Sequence, residues 1–215
     1  MKRILLSLIF TVGALMQAQA QNEKYVRAME GAIGKLRYTA SKEDLQEAAN
    51  QFERISAVET SEWLPNYWAA YAYAMLAFNQ TEAGQKDALL DKADNFYRKA
   101  VAQQPDNDEL MVLQAYLAQT RMTVDPQNRW QQYGGIAQTA LASAQKKNPD
   151  NPRTFLLRGQ SLFFTPEQFG GGKAVAKPVL QQSAEKFATF KPISSIYPNW
   201  GSDTAKYFLS QCDGK

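Results

Sequence analysis

The sequence predicts an all-α protein built as a row of helical hairpins, and three observations lead there. Ala occurs 30 times against 15 for Val and Ile together, a bias toward the residue that loses least on helix formation and away from those that suit strands. Apolar residues recur at three- and four-residue spacings along most of the chain, the period of a helix with one buried face. A pattern of small and large residues also repeats at intervals of 44–45 positions. With 45% hydrophobic and 21% charged residues, the chain has a globular composition, not a disordered one.

The first twenty residues read as an address. Lys2 and Arg3 precede an apolar run from Ile4 to Met16, followed by Ala18-Gln19-Ala20, the layout of a cleaved secretory signal. This run of thirteen residues falls short of the about 20 needed to span a bilayer. No Cys lies near the cleavage site to carry a lipid. Residues 1–20 are therefore set aside as a signal peptide, and 21–215 are expected to form one exported, periplasmic domain with no membrane insertion. Without Lys2 and Arg3 the balance is 22 basic to 21 acidic residues, which leaves no electrostatic footprint for nucleic acid.

The helices follow in order. Val26, Met29, Ile33 and Leu36 share a face of the first. Ser41 with Asp44 resembles a capping box and opens a second, whose inner side carries Leu45, Ala48, Ala49, Phe52 and Ile55. Pro65 suits the first turn of a third, which runs to about residue 78 through Ala and aromatic residues. Further helices are expected over 87–103, 108–122, 132–147, 152–164, 173–190 and 202–212. Between them, 81–86 and 123–135 read as long turns, and Thr165–Gln168 as a one-turn helix. The stretch from Lys191 to Gly201 reads as an extended connector pinned by Trp200, with Ser202 capping the last helix.

The repeat is carried by four columns. Ala93, Tyr97, Ala100 and Pro105 stand at offsets 0, 4, 7 and 12, and Ala137, Leu141, Ala144 and Pro149 repeat them 44 residues later. Ala48, Phe52 and Ile55 fill the first three columns 45 residues earlier. Both prolines open Pro-Asp-Asn turns, and Ala70, Ala115 and Gly159 form a further small-residue column. Small residues let helices approach, the large one fills the gap, and Pro stops the helix. These columns resemble the tetratricopeptide repeat (TPR), a helix–turn–helix unit of about 34 residues. The longer period here implies longer helices and turns, and Asn66, Met111 and Phe155 stand where the family prefers Trp. A HEAT-like array, with repeats of about 40–47 residues, is the structural alternative. The resemblance implies a TPR-like α-solenoid of about four antiparallel helix pairs closed by a C-terminal capping helix. The chain as a whole resembles small exported TPR proteins of Gram-negative bacteria.

In that family the first helix of each pair lines a concave groove. Carried onto this sequence from the Ala70, Ala115 and Gly159 column, the groove-facing positions are Tyr67, Tyr71 and Met75, then Val112, Tyr116 and Gln119, then Leu156, Gln160 and Phe163. Tyr suits recognition because it joins apolar area to a polar tip; the same aromatics also serve as packing between repeats. Two further features stand out. Gly170-Gly171-Gly172-Lys173 could gather backbone N–H groups on an anion or simply make a tight turn. Arg129, Trp130 and Tyr133 lie in the long turn 123–135, where a Trp either rims a groove or lids the core.

No catalytic residue, metal ligand or cofactor is expected. There is no His, so His triads, His bases and His-ligated metals are out. The single Cys212 excludes internal disulfides and is expected as a half-buried thiol on the terminal helix. Asp106 and Asp150 read as turn residues. The expectation is a non-catalytic scaffold that holds a partner protein or peptide of the cell envelope in its groove. The alternative is a small-solute-binding or transporter-accessory protein with an aromatic-lined pocket.

Overall fold

The computed structural model describes residues 22–37 and 39–213; the signal-like segment 1–20 lies outside them. Among the described residues the chain is all helical: α1 (residues 22–33), α2 (Lys42–Val58), α3 (Trp63–Phe78), α4 (Ala83–Gln103), α5 (Asp108–Met122), α6 (Pro126–Lys147), α7 (Pro152–Phe164), α8 (Lys173–Thr189) and α9 (Ser202–Asp213). None of these helices is long and apolar enough to cross a membrane.

The capping chemistry holds where it was read. Ser41 Oγ accepts the Asp44 N–H at 3.0 Å, as the start of α2 requires. In the two Pro-Asp-Asn turns the asparagines are the caps. Asn107 accepts from the Glu109 and Leu110 N–H groups, and Asn151 from that of Arg153. The aspartates do not serve the local N–H groups as expected. Asp106 pairs with Lys147, and Asp150 with Lys186 at 2.7 Å, so each turn is tied to the second helix of the following pair.

Two long turns prove to be helix. α4 begins at Ala83 and α6 at Pro126, leaving only residues 79–82 and 123–125 as connections. Asp125 caps α6 through the Asn128 N–H, and Pro126 takes the first turn, where its missing N–H goes unused. The period of 44–45 thus comes from long helices. Trp130, on that helix, is exposed; it lids no core. Arg129 instead reaches α4, where its Nη1 and Nη2 N–H groups donate to the two Asp87 carboxylate oxygens at 2.6 and 2.7 Å. Arg121 from α5 joins through Asp87, Asp91 and Asp94.

The hairpins stack as pairs. α3 packs most closely on α4, α5 on α6 and α7 on α8, while α2 leans on α3 and α9 on α8. The repeat columns lie at these seams. Ala48, Ala93, Ala137, Ala100 and Ala144 are all buried, as close helix approach demands. At Gly159 the approach is closest, for a Cβ there would sit 2.6 Å from Leu180 Cδ2 on α8. α3 lies innermost, with thirteen of its sixteen residues buried; Trp68 stacks on Phe52 of α2 and Tyr73 on Phe96 of α4. The first helices also touch one another along the row, α3 on α5, α5 on α7 and α7 on α9, whereas the second helices make no comparable contact among themselves. The row therefore curves with α3, α5 and α7 on its inner side.

Candidate binding surfaces

The inner side is where the sequence places the groove, and half of it is filled. The connector after α8 folds back as a strap across α3, α5 and α7. The Trp68 indole N–H donates to the Ile196 carbonyl at 2.8 Å, and the Trp200 indole N–H to the Tyr67 hydroxyl at 2.8 Å. The Trp200 ring stacks on Tyr71 at 4.7 Å and lies 5.6 Å from Tyr116, while Tyr197 meets Trp63 edge-on. Gly201, with φ 107°, ends the strap where a Cβ would meet Phe187 and Leu156 within 3 Å.

The strap is clamped by a buried ion pair. Arg153 in the first turn of α7 grips Glu109 in the first turn of α5 through two bonds of 2.9 Å, both side chains wholly buried. A further guanidinium N–H reaches the Pro198 carbonyl at 2.7 Å, and the Phe190 ring covers the guanidinium at 4.5 Å. Asn151 completes the carboxylate's shell at 2.8 Å. Burial raises the Glu109 carboxyl above its ordinary value, and Arg153 offsets only part of that rise. Burial likewise raises Tyr67, Tyr71 and Tyr116 well above the usual phenol range, so all three stay neutral.

The expected groove residues divide accordingly. Tyr67, Tyr71, Val112 and Leu156 are buried, and Tyr116 is half-buried beneath Trp200. They come together, with Tyr71 5.3 Å from Tyr116, but as the bed of the strap and not as an open surface. This corrects the expectation of an open groove at these positions. The physical reason is that exposed aromatic area at this density is stabilised by whatever covers it, and the chain supplies its own cover. Farther along the helices Met75, Gln119, Gln160 and Phe163 are half-buried. Gln119 is spent on the repeat interface, donating to the Leu157 carbonyl and the Ser161 hydroxyl at 3.0 and 2.7 Å.

Phe163 belongs to a different surface, which the sequence reading did not assemble. At the α7 C-terminus it meets Phe164 and, across to α9, Phe208, with ring centroids 5.2 Å apart in each case. Phe164 touches Phe208 at 5.6 Å, and Phe208 touches Tyr207 at 5.3 Å. Phe208 is the buried base, while Phe164 is 70% and Tyr207 45% exposed. The Lys173 ammonium lies 5.9 Å from the Phe163 ring. Phe163-Phe164 were visible as the end of a helix, but only the return of α9 brings Tyr207 and Phe208 to them.

The glycine turn beside this surface is structural. Gly170, Gly171 and Gly172 donate their N–H groups to the carbonyls of Glu167, Pro166 and Leu162. Gly170 and Gly172 have φ of 81° and 98°, and a Cβ at Gly171 would collide with the Thr165 carbonyl. The N–H groups are thus taken by the loop. The one-turn helix before it is a 3-10 turn over Glu167–Phe169. Cys212 is half-buried on α9, and burial raises its thiol pKa. Among the described residues no group of three or more His, Cys, Asp or Glu could hold a metal ion.

Fold and surfaces together define an all-α, helical repeat-like protein with a strapped inner face and an aromatic patch at one end of its row. No family model matches the chain, and no curated protein matches it. Among solved structures it is similar to the HusA haemophore from Porphyromonas gingivalis, with a TM-score of 0.78 and 34% sequence identity over 87% of this chain and 92% of that one. The chain belongs to the family of that haemophore.

Proposed function

We propose that this protein is an exported, non-catalytic binding protein for a porphyrin-class ligand, haem above all, carried on a TPR-like array of helix pairs. The observation that carries the reading is the likeness to a haemophore at 34% identity across nearly the whole of both chains. It favours the small-solute alternative over a peptide held in the inner groove. A peptide lying on Tyr67, Tyr71 and Tyr116 would first have to displace Trp200 and break its bond to Tyr67. Export is supported by the signal-like residues 2–20.

The chain has no imidazole to offer a haem iron. Packing against the porphyrin face and ion pairs to its propionates are sources of affinity that need no imidazole. A rigid helical array suits this task, since little of the receptor must be ordered on binding. The test is a titration of the purified chain with haem, followed by absorbance. A saturable spectral change that survives desalting is expected. A linear response equal to that of haem in buffer would contradict the reading.

A further inference from the structure

We infer that the porphyrin seat is the aromatic shelf formed by Phe163, Phe164, Tyr207 and Phe208, with Lys173 as the partner of a ligand carboxylate. This rests on the porphyrin reading above and goes beyond it by placing the ligand away from the inner groove. Three observations carry it. The four rings are joined by successive contacts of 5.2–5.6 Å between two helices, so they act as one surface. That surface is accessible, since Phe164 is 70% exposed although most apolar side chains of this protein are covered. Isolated exposed apolar residues are ordinary, but a contiguous patch marks a binding surface.

The chemistry of the rim selects the ligand. Phe163, Phe164 and Phe208 have no polar atoms, so a large planar apolar face suits them, by stacking or edge contact. Lys173 stands exposed beside Phe163 and presents a cation to an anionic substituent. Lys177, one turn on, pairs with Asp213 at 2.6 Å and holds the end of α9 against α8. A planar apolar ring system with acidic arms fits this combination of rings and cation. Phe78 and Trp130 are exposed elsewhere, but no ring contact joins either to another aromatic among the described residues.

Cys212 supplies an independent reporter. It lies four residues beyond Phe208 on the same helix, hence on the same face, and its thiol is half-buried.

The experiment titrates haem into the wild-type chain, Phe164→Ser/Tyr207→Ser, Lys173→Glu and the control Phe78→Ser, with folding checked by circular dichroism. The double variant is expected to weaken haem binding about tenfold or more, as loss of anchoring aromatics does. Lys173→Glu is expected to weaken it several-fold and to reduce its salt dependence, while Lys173→Arg restores both. Phe78→Ser should bind as the wild type does. In the wild type, saturating haem should slow alkylation of Cys212 by iodoacetamide. If wild type binds haem and the folded double variant binds it equally well, with Cys212 alkylation unchanged, the shelf is the wrong site although the porphyrin reading stands. If wild type does not bind haem, the porphyrin reading itself falls. If the double variant alters only the oligomeric state in gel filtration and leaves haem affinity intact, the shelf is an interface between copies and the inference is overturned.

Discussion

The inner face of α3 and α5 and the far end of α7 and α9 are both rich in aromatic residues, yet they are built differently. On the inner face both indoles are bonded within the chain, Trp68 to the Ile196 carbonyl and Trp200 to the Tyr67 hydroxyl. Around them an ion pair is buried and fully bonded. At the far end the rings are mainly Phe, and Phe164 is largely exposed. Buried polar groups demand partners, so a strapped aromatic face is committed to one internal arrangement. An apolar shelf makes no such demand and stays available. Aromatic density alone therefore does not locate a binding surface; what covers the rings does.

The comparison breaks most visibly at the clamp. Arg153→Met leaves the Glu109 carboxylate buried without its partner, and a loss of about 3–5 kcal/mol in urea denaturation is expected. Adding Glu109→Leu should return much of that loss, because an apolar pair of similar volume removes the stranded charge. If the single variant is as stable as the wild type, Arg153 is not what holds the strap. Trp200→Ala is expected to cost about 3–5 kcal/mol by opening a cavity over Tyr71 and Tyr116. The same variant should make tyrosine fluorescence more accessible to acrylamide. Phe164→Ser/Tyr207→Ser, by contrast, should change stability by less than about 1 kcal/mol, since exposed side chains contribute little to the folded state.

A smaller effect is expected where two helices touch. Gly159→Ala sets a methyl group 2.6 Å from Leu180 Cδ2, and overpacking there should cost about 1–3 kcal/mol. Gly159→Ala combined with Leu180→Val should recover part of it; full wild-type stability of the single variant would show that the α7–α8 seam is loose. The smallest effect is a pH dependence. Hydrogen bonds from Arg129, reinforced by Arg121, hold the Asp87 carboxyl below its ordinary value. Its contribution to stability is thus complete above the ordinary carboxylate pKa of about 4 and is lost as the pH falls through the depressed folded value. Because the group is partly exposed, the difference is expected below about 1 kcal/mol. Asp87→Asn should flatten that part of the stability–pH curve; an unchanged curve would deny Asp87 the role.

Much of the fold was legible because it is written in local spacing. The Ala-large-Ala columns mark the helix seams, and Asn107 and Asn151 mark the turns. One column breaks the period: Ala176, Leu180 and Ser183 in α8 carry the same 0, 4, 7 offsets and are all buried, but they stand 39 residues after their counterparts, outside the 44–45 spacing. Asp125-Pro126 falls in the stretch 123–135 expected as a long turn, yet a cap followed by Pro is also how a helix starts. The inner face was harder. Pro198-Asn199-Trp200-Gly201 announces an extended segment, but nothing nearby in sequence says where it lands. Its decisive bonds join residues 128 and 133 positions apart. The shelf is invisible for the same reason, for Phe164 and Phe208 meet only after α8 has run back and α9 has returned.

The most direct measurement is haem affinity in two variants side by side, Trp200→Ala in the strapped face and Phe164→Ser/Tyr207→Ser in the shelf, under conditions where both are folded. The shelf variant should bind about tenfold more weakly or worse, with the strap variant within about twofold of the wild type. The reverse order, with Trp200→Ala losing haem and the shelf variant keeping it, would place the ligand on the inner face and contradict the account.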